Sequence, residues 1–492
     1  MTTRRFGGVA LVFALGSGLV VLGVGEGRAR AYEFSIQLQT IGQGYQVRGF
    51  APTGANELLT RRRLTEVLNL SLYDIEPERW HGDDEDRTAR NTIYFDASLR
   101  FDTDFGSYVT GRPTGTDEIR ELQQSQIDVF YAFLGGRRLG GRVDFQLGRQ
   151  IHYDLLDFYA FDGLDALVRI QRYVAAEAFG GTEVLGALPL SSPIYELDGT
   201  SVGSRGPTTR HEQTEEMRPL VGAAMVLGGV PGDVPAPITA RLAYRRVWSA
   251  TADRQPGEPE SGVNDEKLAL TATAEWRRRV FLTGGVRYNL LLATFDDQQV
   301  GLRVRASGRQ WVGLEMAYLA PTWDGDSIWN VFAAGAYRDF RGNYELQIID
   351  GLKLYLRAFA RHFDAVPDVP GDEARWAAGG STGAVWRGRL GMLRLDTYVD
   401  GGFGGRKVGV DSSGRWQVRP RALELEGRLT AYEWKSDQQP ATDTGFVFGA
   451  QAGARYRLGE GVRLHALLED NVGTFYTGQY RGLIVVELDA SL

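Results

Sequence analysis

Residues 266–277, EKLALTATAEWR, alternate with a period of two: Leu268, Leu270, Ala272, Ala274 and Trp276 fall on one side, Lys267, Thr271, Thr273, Glu275 and Arg277 on the other. Successive side chains of a β-strand point to opposite faces, so this segment is a wall with one apolar and one hydrated surface. One such strand fits any sandwich. Its return along most of the chain, with apolar faces ending in aromatics, describes a boundary between lipid and water.

Period-two segments run at 92–102, 126–134, 142–148, 217–229, 236–249, 266–277, 280–292, 297–307, 310–320, 328–338, 351–361, 375–387, 390–400, 420–432, 444–457, 461–469 and 481–492. Weaker ones lie at 33–42, 64–74 and 165–174. They predict an all-β chain forming a single closed antiparallel transmembrane β-barrel of about 18 strands, in a range of roughly 16–20. The connections fall into two length classes. Those at 135–141, 277–279, 307–309, 387–389 and 459–461 are tight, whereas 75–91, 103–119, 175–216, 250–265, 362–374 and 470–480 are long and polar. Outer-membrane barrels have this asymmetry, and an even strand number puts both termini on the short-turn side. The segment 175–216 is expected to fold inward and narrow the lumen.

A mean hydropathy of −0.25 resembles that of a soluble protein. A barrel gives the same value, because only alternate strand residues face lipid. The N-terminus, with Arg4 and Arg5, an apolar stretch from Val9 to Val24 and Ala29-Arg30-Ala31, reads as a secretory signal peptide over 1–31. The outer-membrane barrel then occupies 32–492. Removing the leader takes away four arginines and one glutamate and shifts the formal charge from −7 to −10, which argues against a nucleic-acid partner. There are no cysteines, hence no disulfide framework and no thiolate metal site.

No catalytic constellation is visible. His81, His152, His211, His362 and His465 are scattered without metal-ligand spacing, and no nucleophile elbow, Walker sequence or zincin motif occurs. Neither enzyme chemistry, a metal nor a cofactor is expected. Asp83–Asp86 and the Asp324, Asp326 pair have oxygen ligands for Ca²⁺, but solvated loop carboxylates are the simpler reading.

The chemistry rests in the lumen wall. Strand parity assigns to it Arg287, Arg303, Arg305, Lys353, Arg357, Arg394, Arg428 and Arg463, interleaved with Glu275, Asp396 and Glu424. The chain has only four lysines. An arginine-lined path suits carboxylated or phosphorylated solutes; a GC-rich coding bias, or pairing of each arginine with a cross-strand carboxylate, gives the same composition. Tyr244, Trp248, Trp276, Tyr288, Trp311, Tyr318, Trp323, Trp329 and Trp386 are candidates for interfacial aromatic girdles.

From Val143 to Ile170 the chain reads VDFQLGRQIHYDLLDFYAFDGLDALVRI. Gly148-Arg149-Gln150 followed by Phe161-Asp162-Gly163-Leu164 resembles the GRQ…FDG pattern of alginate-export-type outer-membrane porins. The resemblance implies an eighteen-stranded barrel passing an anionic exopolysaccharide through an arginine-lined pore, with Arg149 in its wall. Parity with Val143 points Arg149 outward unless a bulge intervenes or the strand has left the membrane. The last strand, with Ile484, Val486, Leu488 and Ala490 alternating, ends in Leu492 where that class has an aromatic.

The expected function is a passive outer-membrane channel for hydrophilic solutes, anionic small molecules or exopolysaccharide. Its expected partners are outer-membrane lipid and the barrel assembly machinery. The alternative is a non-conducting structural or adhesive barrel binding through its external loops.

Overall fold

The computed structural model describes residues 10–15, 18–23, 33–50, 56–73, 92–104, 126–184, 218–229, 236–248, 262–320, 335–365, 374–437, 444–474 and 476–491. Strands β1 (Ala10–Leu15) and β2 (Gly18–Gly23) pair only with each other. The barrel begins with β3 (Glu33–Phe50), β4 (Asn56–Tyr73), β5 (Thr92–Asp104), β6 (Gln126–Leu139), β7 (Val143–Asp154), β8 (Asp157–Gln171) and β9 (Val174–Glu183). It continues through β10 (Pro219–Leu227), β11 (Ile238–Trp248), β12 (Val263–Trp276), β13 (Val280–Asn289), β14 (Thr294–Ser307), β15 (Gln310–Leu319), β16 (Tyr337–Ile349) and β17 (Leu352–Phe363). It ends with β18 (Arg375–Gly388), β19 (Gly391–Gly402), β20 (Gly405–Arg419), β21 (Leu423–Ser436), β22 (Thr444–Arg457), β23 (Val462–Gly473) and β24 (Tyr476–Ser491).

Each of these strands pairs antiparallel with its sequence neighbours, and β24 closes on β3 from Ser491↔Ser35 to Tyr476↔Gly49. The wall is therefore an up-and-down barrel of 22 strands, not about 18. Closure without β1 and β2 leaves no unpaired edge when residues 1–31 are set aside. The difference in count comes from β9 and β20, which lack apolar contrast. In β9 the alternating residues are mostly alanine, and in β20 glycine and serine interrupt the outer row. The strand expected at 328–338 lies at 337–349 instead.

Tight connections at 140–142, 172–173, 277–279, 308–309, 350–351, 389–390, 420–422 and 458–461 all lie at one end, with the start of β3 and the end of β24. At Arg277 and Arg278 φ is 50° and 54°, the left-handed backbone that a short hairpin needs to follow the strand twist. The strand ends joined by the longer connections, those of β9 and β10, β11 and β12, β15 and β16, and β17 and β18, lie at the opposite end. Two expectations need correction. Tyr73 and Thr92, which a long connection joins, lie at the short-turn end, and the expected loop 470–480 takes in the end of β23 and the start of β24.

One face of the wall has Leu242, Leu268, Leu270, Leu282, Leu302, Leu314, Leu354, Leu395, Leu425 and Leu429, all exposed. On the other face side chains reach over an intervening strand: Arg241 of β11 to Glu177 of β9, Arg303 of β14 to Glu345 of β16, Tyr355 of β17 to Asp396 of β19. Only a concave surface brings such positions together, so that face is the lumen and the leucine face is the outside. Exposed leucines around a closed wall are stable in hydrocarbon and not in water. The barrel is thus an outer-membrane protein.

The outer face has aromatic rows at both strand ends. Trp276, Trp386, Trp416 and Tyr456 stand near the short turns, and Tyr244, Trp248, Tyr288, Tyr318 and Trp376 near the long ones. Rings with an N–H or O–H prefer this interfacial depth; Tyr244 donates to Glu266 at 2.6 Å and the Arg246 guanidinium lies 5.0 Å from the Trp248 ring. Trp311 does not belong to the girdle. It faces the lumen, 4.4 Å from the Arg303 guanidinium. Trp323, Trp329 and the acidic loop residues 83–86, 324 and 326 lie outside the described residues.

Candidate functional site

The ladder between β6 and β7 stops at Ala132↔Arg149, and that between β8 and β9 begins at Phe161↔Glu183. Between β7 and β8 pairing continues to Asp154↔Asp157. The last backbone bond on the β9 side runs from the Val184 amide to the Ala160 carbonyl at 2.8 Å; residues 150–159 therefore form a hairpin tip outside both wall ladders, closed by a two-residue turn in which Asp154 Oδ1 accepts from the Leu156 amide at 2.8 Å.

This tip folds into the lumen. Leu155 packs over Gly285 of β13, where the missing Cβ leaves room for it, and its carbonyl accepts from Arg287 Nη1 at 3.2 Å. Lys267 of β12 donates to Asp157 at 3.3 Å, Arg241 of β11 reaches Asp154 at 3.5 Å, and the Arg245 guanidinium lies 4.5 Å from the Tyr159 ring centroid. Beneath the tip is an apolar cluster: Leu156, Tyr159, Phe161, Phe179, Leu220, Ala224, Ala243, Val247 and Ala269. Leu156, Phe161 and Val247 have no exposed surface. Burying each large apolar side chain contributes about 1.5–3 kcal/mol, so packing as well as charge holds the tip on the β9–β13 wall. Tyr153, 85% exposed, stands on the opposite side of the hairpin.

The GRQ and FDG triplets are the two roots of this hairpin, paired as Gly148↔Gly163, Arg149↔Asp162 and Gln150↔Phe161. At Gly148 φ is 131°, and a Cβ there would strike the Ala132 carbonyl. A Cβ on Gly163 would strike the Gly180 carbonyl of β9. Buried Gln150 donates to the carbonyls of Gln146 and Gly163 at 2.9 and 3.1 Å. Arg149 is not on the pore wall: it faces outward, bidentate to Asp162 with both contacts at 2.8 Å, and its Nη1 reaches the Val129 carbonyl at 3.1 Å. It satisfies an acceptor on β6 close to where that strand parts from β7.

The other expected wall residues lie on the inner face by register. Arg287 pairs with Asp296 at 2.8 Å, Lys353 with Glu345 at 2.8 Å, Arg303 with Glu345 at 3.6 Å and Arg394 with Asp396 at 2.5 Å. Arg428 meets Asp411 at 2.6 Å, Arg463 meets Glu487 at 3.6 Å, and Glu424 meets Arg455 at 3.7 Å. Arg305 and Arg357 instead lie near aromatic rings, 5.7 Å from the Trp311 centroid and 4.9 Å from the Tyr355 centroid. Glu275 sits opposite Phe281 on the same inner face. A pocket of about 840 Å³ along β13–β19 takes in Arg303, Trp311, Glu315, Arg341, Arg357 and Tyr398. Among the described residues the inward element is the β7–β8 tip; of the segment 175–216 expected to fold inward, 174–183 is wall strand β9, and 185–217 lies outside the described residues.

No protein-family model matches the chain, and no curated protein does. Among solved structures, the chain is similar to OpdK of Pseudomonas aeruginosa, crystallised with vanillate, at 12% identity and a TM-score of 0.41 over 94% of this chain and 99% of that one. A BenF-like porin from Pseudomonas fluorescens Pf-5 gives 9% and 0.42 over 94% and 99%, and OccAB4 of Acinetobacter baumannii 8% and 0.41 over 94% and 99%.

Proposed function

We propose that this barrel is a passive outer-membrane channel for small hydrophilic solutes, with the β7–β8 tip as its constriction. The observation that carries the reading is the combination of a charged inner wall with a packed hairpin crossing part of it. Barrels of 16–18 strands already leave an aqueous channel, and a barrel of about 22 strands encloses more space than selective passage needs. An inward element reduces that space without closing it. The charged remainder along β13–β19 stays hydrated and offers a path.

Small solutes fit this interior better than a polysaccharide strand, because the apolar cluster and the tip occupy the β9–β13 side. Charge discrimination is expected to be weak. Most inner arginines are matched by carboxylates, Arg305 and Arg357 lie beside aromatic rings, and Glu315 lines the same pocket as Arg357. No chemical step is assigned to the protein. Purified barrel in a planar bilayer should give discrete ohmic steps and a reversal potential near zero under a salt gradient. A folded barrel that never conducts would favour the adhesive alternative, and a strongly anion-selective current would restore the arginine-lined path.

A further inference from the structure

At the root of the hairpin, one side-chain cluster has donor chemistry that neither the channel nor the apolar packing uses. His152 stands on the bent part of β7, Asp165 on β8 and Glu177 on β9, and one ligand atom from each lies within 4.8 Å of the other two. The His152 Nε2 to Asp165 Oδ2 edge is 3.6 Å. The other ring nitrogen, Nδ1, is 3.4 Å from the Tyr159 hydroxyl. Three rings, Tyr159, Phe161 and Phe179, surround the imidazole at centroid distances of 5.2, 5.1 and 5.5 Å. A partner at Nδ1 and packed faces fix the ring, as in metal-bound histidines, and Nε2, which meets Gln150 Oε1 only at 3.5 Å, is turned toward Asp165 as a ligand atom. Asp165 Oδ1 is a buried oxygen with no hydrogen-bond partner, an arrangement that a bound cation relieves.

We propose that His152 Nε2, Asp165 and Glu177 bind one divalent transition-metal ion of the Zn²⁺ class. One imidazole and two carboxylates suit that ion, with bonds of about 2.0–2.2 Å. Tetrahedral ligands at such lengths are about 3.3 Å apart, so the His152–Asp165 edge is nearly closed and Glu177 has to approach by on the order of 1 Å. Local charge points the same way. Three carboxylates, Asp154, Asp165 and Glu177, face one guanidinium: Arg241 holds Glu177 at 2.5 and 2.9 Å and Asp154 at 3.5 Å. The neighbouring Asp144 is already balanced by Arg169, both contacts being 2.7 Å. Arg137 lines the same pocket, and the carboxylates still outnumber the guanidiniums there, which favours a cation. Arg241 stays on Glu177 as the outer partner that orients a ligating carboxylate. Access is from the lumen, where a pocket of about 590 Å³ is lined by Asp165, Glu177 and Arg241. An ion here joins the bent part of β7 to the β8–β9 wall and stiffens the hairpin.

The test uses the full chain, folded in detergent micelles, stripped with EDTA and titrated with Zn²⁺ by calorimetry, with Co²⁺ as the spectroscopic probe. One ion per chain is expected, with the visible absorption of four-coordinate Co²⁺. His152→Ala, and separately the isosteric Asp165→Asn, should each weaken Zn²⁺ binding by about tenfold or more. His362→Ala should not, although His362 also has a carboxylate neighbour, Asp364, at 3.1 Å. Absence of stoichiometric binding, or binding unchanged in Asp165→Asn, overturns the site even if His152→Ala does not fold. Conductance is not read, so the outcome is independent of the channel assignment.

Discussion

At the residue scale, the hairpin roots and its exposed tyrosine make the sharpest claims. Gly163 and Gly180 approach so closely across β8 and β9 that a side chain on Gly163 displaces backbone. Gly163→Val is expected to abolish the heat-modifiable folded band on electrophoresis, whereas Gly44→Val, with open space around it, should keep it. The chain contains no cysteine, so Tyr153→Cys introduces a unique thiol. Charged methanethiosulfonate reagents should modify it and alter the current; labelling without any change in current would put Tyr153 away from the ion path. Which residues face the lumen was legible from parity alone, since Arg287, Arg303, Arg394 and Arg463 needed only the two-residue period. Their partners were not, because Arg303 reaches Glu345 over an intervening strand, a contact that curvature creates and local pattern does not encode. Arg149 shows the converse. Parity pointed it outward, and the resemblance that drew it inward was a likeness of hairpin roots.

At the element scale, the β7–β8 tip is held by packing and ion pairs together, and the two contributions separate by substitution. Leu156→Ala removes a side chain with no exposed surface and should cost about 2–5 kcal/mol of local stability, seen as faster hydrogen exchange confined to residues 150–159. Arg287→Ala removes the donor to the Leu155 carbonyl and the partner of buried Asp296. Taking the guanidinium away from a buried carboxylate should destabilise β13–β14 as well, so exchange should rise there too; an effect limited to the tip would contradict this assignment. Period two alone does not reveal the hairpin, because alternation runs unbroken through Gln150, Ile151, His152, Tyr153 and Asp154. Those residues do form a ladder, but only with β8, and departure from β6 and β9 is a property of the neighbours. Two signals were present: paired glycines at 148 and 163, and the aromatics Tyr159, Phe161 and Phe179 on a face that parity assigns to water.

At the scale of the whole molecule, the closed wall, its short-turn and long-loop ends and the shared end of both termini followed from period and connection length. The strand number did not, because β9 and β20 carry alanine, glycine and serine where contrast was needed, and the eighteen strands implied by the resemblance gave way to 22. The additional circumference and the inward tip belong together: a wider wall accommodates a packed hairpin and still leaves a hydrated path. The decisive measurement is single-channel conductance of the native barrel beside one in which Ile151–Ala160 is replaced by Asn-Gly, so that Gln150 and Phe161 flank a two-residue turn. The account predicts that both insert and conduct, the shortened barrel at least about twofold more. Equal conductance, or no current from either folded protein, would contradict it.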